Sequence, residues 1–294
     1  MLVDVRSPKE YEHAHIPGAY NIPLFTNEER HLVGLLYKQK GQDAAFELGL
    51  SFVGPKMASF VQQARQFDAV EVYCARGGMR SQSMHWLFKQ AGIPTTIRPF
   101  GYKGYRKEVL QILKNPYQLK IITGFTGSGK TESLRSKPQY IDLEELANHR
   151  GSAFGFLGPQ PSNEHLENLI ASKLLTFNTN EVIWVEDESR VIGSCKVPDD
   201  FFHQMMKAPR IEIKCSFDER VKRLILTYGR YETSFIKKAI LQIEKRLGYT
   251  RTKEALNLLN NNDLKSLVTL LLHYYDNAYD KSQKRYNKNN EYAL

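Results

Sequence analysis

The sequence predicts two successive α/β domains, the second extended at its C-terminal end by helices. Two strand–loop–helix units carry that prediction. In residues 70–90 a β-branched apolar run ends on Cys74, and a glycine-containing loop then leads into a helical stretch. In residues 119–131 a second apolar run enters a glycine-rich loop ahead of another helix. Length is the third observation, since 294 residues exceed one typical small domain and suffice for two, each with its own core.

Taken in order, residues 2–6 read as a buried strand that starts at once, so an upstream strand is expected to be missing. Ser7-Pro8 supplies an N-cap and a proline at the first helical position of a short helix through about His13. Pro17-Gly18 and Pro23 punctuate a loop, and GLLYKQKGQDAAFELGL after it is helical in character. Met57, Phe60, Val61 and Ala64 fall at helical spacing, so a helix delivers the chain to the strand at residues 70–73. Helix resumes over residues 81–90, residues 95–99 form a further strand, and GYKGYRKEVLQIL is a glycine turn that becomes a helix. Asn115-Pro116 marks a boundary between a domain of residues 1–114 and one of residues 115–294.

Beyond the boundary, residues 119–123 are a strand and EVIWVEDES at residues 181–189 is a second one ending in acids. Between them DLEELANHRGSAFGFLG mixes acids, Arg150 and three glycines, and no general rule assigns it a task. From Phe217 onward the chain is largely helical, with apolar spacing in residues 235–247 and 264–275 and a polar break at residues 260–262. The tail after Asp280 is too polar to pack and is expected to fray.

Composition narrows the function. With 41% hydrophobic and 25% charged residues and a mean hydropathy of −0.46, the chain reads as a soluble globular protein. No apolar run approaches the roughly 20 residues that span a bilayer, so no membrane partner is expected. Cys74, Cys195 and Cys215 are too widely and irregularly spaced for a disulfide framework or a zinc site, and no secretory signal precedes them; a reducing cytoplasm is the expected home. Formal charge is +5 over residues 1–115, −4 over 116–202 and +8 over 203–294. In the last third, cations such as Arg223, Arg230, Lys237, Lys238 and Arg246 alternate with Tyr228, Tyr231, Phe235 and Tyr249. That pattern suits phosphate backbones with bases stacked on rings, assisted by Lys103 and Arg106, although solvated helix faces give the same pattern.

Two loops carry the chemistry. Around Cys74, in VEVYCARGGMRS, the backbone N–H groups of residues 75–79 can curl into a nest through Gly77 and Gly78, and Arg76 and Arg80 add donors. Such a positive field holds an oxyanion over the sulfur and lowers the thiol pKa, although a buried structural cysteine before a Gly-Gly turn has the same local sequence. The second loop, GFTGSGKT, matches GxxxxGK[ST] between a strand and a helix. Gly124, Thr126, Gly127, Ser128 and Gly129 form the cradle, Lys130 neutralises phosphate charge, and the Thr131 hydroxyl is placed to reach Mg2+. Glu186 and Asp187 are candidates to hold that Mg2+ through water, against the alternative of solvated acids at a strand end. No metal ligand set is assigned firmly, and no tightly bound cofactor is expected.

DVRSPKEYEHAHIPGAYNIP resembles the opening signature of the rhodanese domain, and YCARGGMRS sits where that family has its active-site cysteine loop. Cys74 to Arg80 is a CX5R spacing, one residue longer than in ordinary rhodaneses and similar to that of the rhodanese-like dual-specificity phosphatases. The wider loop suits a tetrahedral phosphate-like group. YKQKG, YCARGGMRS, GYKGYR, GFTGSGKT, DLEELANHRGSAFG and WVEDESRVIG, in this order, resemble the tRNA 2-selenouridine synthase family from Asp4 to about Tyr275. The resemblance implies a rhodanese-like α/β domain followed by a P-loop α/β domain with a basic helical C-terminal part. It further implies a tRNA-modifying transferase that attaches geranyl from geranyl diphosphate to 2-thiouridine at the wobble position, then replaces the sulfur with selenium from selenophosphate. On that reading Cys74 carries selenium, its loop holds selenophosphate, and residues 124–131 hold geranyl diphosphate. Three other readings stand beside it: a CX5R phosphatase with a P-loop regulatory domain, a P-loop nucleotide-dependent kinase or switch, and an inactive tRNA-binding scaffold.

Overall fold

The structure, a computed structural model, describes residues 1–149 and 158–291, with side chains as far as residue 280. The chain divides into two compact units, one of Met1–Asn115 with Pro161–Thr176, the other of Pro116–Gln160 with the chain from Phe177 onward.

In the first unit β1 (Leu2–Asp4) leads to α1 (Pro8–His13), which starts on the Ser7 cap with Pro8 in its first turn and Glu10 closing a capping box. β2 (Tyr20–Asn21) is followed by α2 (Asn27–Lys40), which starts at Thr26 and ends at Gly41, and by α3 (Gln42–Val53). A single 3-10 turn then joins α4 (Met57–Ala64), which buries Phe60 and Ala64. β3 (Val70–Tyr73), α5 (Met79–Gln90), β4 (Thr95–Ile97) and α6 (Gly101–Lys114) complete the run. All four strands are parallel, in the order β2-β1-β3-β4. Val3, Ile22, Val72, Met84 and Phe88 are wholly buried between this sheet and its helices. Parallel strands covered on both faces read as near-continuous apolar runs, which is why β3 was legible in the sequence.

The second unit starts with β5 (Leu119–Thr123), α7 (Lys130–Arg135), β6 (Tyr140–Ile141) and the short α8 (Leu143–Leu146) capped by Asp142. The chain then returns to the first unit for α9 (Asn163–Leu174), capped by Ser162. The division at residues 114/115 is therefore crossed again by residues that the sequence reading assigned to the second domain. α9 packs along α6, burying Leu166, Ile170 and Leu174. The Tyr102 hydroxyl donates to Glu164 at 2.7 Å, and Asn168 donates to the His15 carbonyl at 2.8 Å.

The second unit resumes with β7 (Ile183–Glu186), the antiparallel pair β8 (Val191–Ile192) and β9 (Cys195–Lys196), α10 (Asp199–Lys207) and β10 (Arg210–Glu212). Its main sheet is again parallel, ordered β10-β5-β7-β6. Helices α11 (Phe217–Tyr228), α12 (Thr233–Gln242), α13 (Glu244–Leu247), α14 (Tyr249–Asn260) and α15 (Leu264–Glu291) follow. They close a core that includes Leu224, Ile236, Ile240, Leu259, Leu267 and Leu271. The polar break separates α14 from α15, whose first turn is capped by Asp263 accepting from the Ser266 amide at 3.1 Å. Contrary to the expected fraying after Asp280, α15 continues to Glu291; the Lys, Gln and Arg residues there are good helix formers, and neither Gly nor Pro interrupts them. Among the described residues no helix is long and apolar enough to cross a membrane.

Candidate functional site

Cys74 follows β3 directly, at the carboxyl end of a strand flanked by β1 and β4, where open α/β sheets bind ligands. Its Sγ lies 3.3 Å from Ser81 Oγ and 3.9 Å from the Gly78 carbonyl. Burial pushes the thiol pKa up. Hydrogen bonds from the Ser81 hydroxyl and the Arg76 and Ser81 amides, together with the Arg80 charge, outweigh it and leave the thiol below its ordinary value. The loop is shaped from outside itself. Tyr102 and Lys103, in the first turn of α6, donate their amides to the carbonyls of Cys74 and Ala75 at 2.8 and 2.9 Å. Gly101, with φ +56°, permits that approach, because a Cβ there would lie 2.6 Å from the Gly77 nitrogen.

Arg80 is held by α1. Its guanidinium donates to Glu10 at 2.8 and 3.4 Å, and Glu10 also accepts the Ser7 amide at 3.1 Å. Burial raises the Glu10 carboxyl, but Arg80 overrides it and keeps Glu10 below the usual carboxylate range. Behind this pair Arg6 and Asp4 form a buried ion pair at 2.6 Å. Arg6 also donates to the Ala14 carbonyl and lies 3.8 Å over the Tyr102 ring. The opening motif thus braces the loop that α6 caps. Arg76, by contrast, is exposed at the loop.

The glycine-rich loop joins β5 to α7. Lys130 folds back to donate to the Gly124 carbonyl at 2.9 Å, and Gly129 caps α7 with φ +93°. Arg223 of α11 donates to the Gly127 carbonyl at 2.7 Å, and its guanidinium lies 2.8 Å from where a Cβ at Gly129 would stand. Arg223 is exposed, so its place among the candidate RNA-facing cations lies beside the phosphate loop. Arg220, buried on the same helix, donates to the Thr126 carbonyl at 3.2 Å and pairs with Asp276 at 2.7 Å. The Gly124 amide donates to the Tyr279 hydroxyl at 3.3 Å. Arg220, Asp276 and Tyr279 had no local sequence signature, because each acts on a loop far away in the chain.

Glu186 ends β7 beside β5 and is 2% exposed. The Thr131 hydroxyl bonds to it, while its Oε1 and the buried Ser128 Oγ have no hydrogen-bond partner among the described residues. Burial raises the Glu186 carboxyl, with Asp142 and Glu132 pushing the same way against Lys130 and Thr131. Asp187 points elsewhere and pairs with Arg210 at 2.6 Å, which withdraws it as a Mg2+ candidate. Glu144 and Glu188, which the sequence did not single out, hydrogen-bond to each other near Lys130. Burial first, then the neighbouring carboxylates, raise both, so the pair retains a proton at neutral pH. Arg150 and residues 151–157 lie outside the described residues.

On the remaining basic surface Lys103, Arg230, Lys237, Lys238 and Arg246 are exposed. Arg106 is not available there: it pairs with Glu167 and donates to Asn168 Oδ1, tying α6 to α9. The interleaved aromatics are mostly packing residues. Tyr228 is buried and the Tyr231 and Phe235 rings pack tilted at 4.9 Å, leaving Tyr249 exposed.

A family model described as a rhodanese-like domain matches residues 1–108, and one described as the tRNA 2-selenouridine synthase AAA domain matches residues 117–293. The chain is similar to the tRNA 2-selenouridine synthase of Marinobacter nauticus, at 34% identity over 95% of this chain and 87% of the relative. It is similar to that of Shewanella denitrificans at 34% over the same shares, and to that of Aeromonas salmonicida at 33% over 95% of this chain and 86% of the relative.

Proposed function

The chain belongs to the tRNA 2-selenouridine synthase family, an enzyme family acting on tRNA, and we propose that it works by two successive transfers at one wobble base. The similarity spans both units, so the phosphatase and nucleotide-switch readings are not favoured. In the first transfer the sulfur of 2-thiouridine attacks the C1 carbon of geranyl diphosphate. The C–S bond forms as the C–O bond breaks, and diphosphate leaves with the electron pair. Lys130, Thr131 and the amides of residues 124–129 receive that charge. The Arg223 and Arg220 contacts hold the loop in shape before the donor arrives. Mg2+ would be held by Thr131 and Glu186, whose unpartnered Oε1 fits that task, and would neutralise diphosphate charge.

Alkylation turns the sulfur into a leaving group and makes carbon 2 electrophilic. In the second transfer the Cys74 thiolate attacks the selenium of selenophosphate; the S–Se bond forms as the P–Se bond breaks with its electron pair on phosphorus, which leaves as phosphite, held by Arg76, Arg80, Gly77 and Gly78. The selenium on Cys74 then attacks carbon 2, expelling geranyl thiolate; an external thiol attacks the Cys74 sulfur, releasing the selenouridine and leaving a mixed disulfide on Cys74, which a second thiol reduces back to the thiolate. The Cys74 sulfur, 3.3 Å from the Ser81 hydroxyl in an anion-shaped loop that holds its pKa below the ordinary thiol value, supports this step. Lys103, Arg230, Lys237, Lys238 and Arg246 provide the tRNA contacts, and on this reading the reaction runs in the cytoplasm, where the Cys74 thiol stays reduced.

Mass spectrometry of a 2-thiouridine tRNA incubated with the protein, geranyl diphosphate and selenophosphate, separately and together, tests the scheme. Lys130→Ala is expected to lower S-geranyl product by about 10²–10³-fold. Cys74→Ala is expected to accumulate S-geranyl tRNA without selenouridine. Loss of both products in Cys74→Ala would assign the thiol to the fold instead.

A further inference from the structure

The first unit holds a cavity of about 1060 Å³ whose apolar walls neither transfer step uses. It lies between the helical hairpin of α2 and α3 and the flank of α5, and drug-sized ligand pockets run to about 1,000 Å³. α2 contributes no buried residue, although it carries Leu32, Val33, Leu35 and Leu36. Leu35, Phe46, Leu50, Met79 and Trp86, all lining the cavity, are 43–57% exposed. So many large apolar side chains turned toward one space mark a surface that an apolar ligand covers.

Two features identify the ligand. Arg76, Met79 and Arg80, from the Cys74 loop, form one end of the cavity, and Gln42 at the start of α3 contacts Met79 Sδ at 3.8 Å. A molecule lying in the cavity therefore ends at the anion loop. The charged lining is wholly cationic, with Arg30 and Lys38 joining the two loop arginines and no Asp or Glu present. Apolar walls with cations alone match a hydrocarbon chain joined to a polyanion.

We propose that this cavity binds the prenyl chain of S-geranyl-2-thiouridine in tRNA, seating the chain so that carbon 2 of the base faces Cys74. The assignment rests on the S-geranyl intermediate proposed above and gives that intermediate its own subsite in the thiol unit, separate from the loop that takes geranyl diphosphate. The chain acts as a handle: an RNA that has not been alkylated lacks it, so selenium transfer is confined to the alkylated base.

The test uses the full chain and chemically prepared anticodon stem-loops bearing S-geranyl-, S-methyl- or unmodified 2-thiouridine. Binding is read by fluorescence anisotropy, with geranyl diphosphate binding measured alongside. The wild type is expected to bind the S-geranyl RNA at least tenfold more tightly than the S-methyl RNA. Leu50→Asp and Phe46→Asp, at exposed positions, are expected to abolish that preference with S-methyl RNA affinity unchanged; Leu50→Met is expected to retain it. Circular dichroism identifies any variant that fails to fold, and Leu50→Met then carries the comparison with Trp86→Ala. Equal affinity of the wild type for the two alkylated RNAs overturns the proposal, as does a preference that survives both aspartates. Loss of geranyl diphosphate binding in the aspartate variants overturns it in favour of a donor pocket. Because the S-geranyl RNA is synthetic, a wild type that prefers it yet never makes it would remove the geranyl-transfer reading and leave the subsite standing.

Discussion

Gly101 and Gly92 both hold a positive φ in the first unit, +56° and +75°, but only Gly101 sits against other atoms. A side chain at Gly92 meets nothing within 4 Å, so Gly92→Ala is expected to lose about 1 kcal/mol from the left-handed backbone alone. Gly101→Ala must also displace the Cys74 loop and is expected to lose at least ~2 kcal/mol in thermal unfolding, with reduced thiol reactivity. The Cys74 thiol itself gives a pH prediction. Its depressed pKa means the thiolate persists as pH falls below the free-cysteine midpoint of about 8.5, so its iodoacetamide alkylation midpoint is expected below that value. Ser81→Ala removes a hydrogen bond to the thiolate and is expected to move the midpoint upward. Cys195, buried and with its pKa raised by that burial, serves as the unreactive comparison in the same experiment.

The pairing of β5 with β7 sets the electrostatics of the glycine-rich loop. In that register Ile122 lies beside Glu186, so the last residue of β7 meets the loop while Asp187 turns to Arg210. α8 brings Glu144 to the same place, next to Glu188. Since burial and the neighbouring acids raise the Glu144 carboxyl, the folded chain keeps a proton that the unfolded chain gives up above the ordinary carboxyl range. Stability contributed by this group falls as pH rises from there toward its raised value. Glu144→Gln is therefore expected to raise the melting temperature more at pH 8 than at pH 5, as measured by differential scanning calorimetry. An equal effect at both values would mean that the carboxyl is ionised in the folded protein.

For the molecule as a whole, cations of similar sequence context have different fates. Arg106 is held by Glu167 and Asn168 and is largely covered, whereas Arg223, Lys237 and Lys238 are exposed. Arg106→Ala is expected to lower the melting temperature, since it breaks the tie between α6 and α9, with little change in tRNA affinity. The Lys237→Ala, Lys238→Ala double variant is expected to keep its melting temperature, weaken tRNA binding and reduce the salt slope by up to about 2. The amino-acid order sufficed for features written within about ten residues: the CX5R loop, the GKT loop, the strands ahead of them and the helical C-terminal part. Backbone preference and motif spacing act at that range, and they leave a periodic or compositional trace. Glu10 gripping Arg80 across 70 positions, Gly101 beneath Cys74, the clasp of Arg220, Asp276 and Tyr279, and the return of α9 to the first unit leave no such trace. Those contacts join segments remote in the chain, and they come into being only when packing brings the segments together.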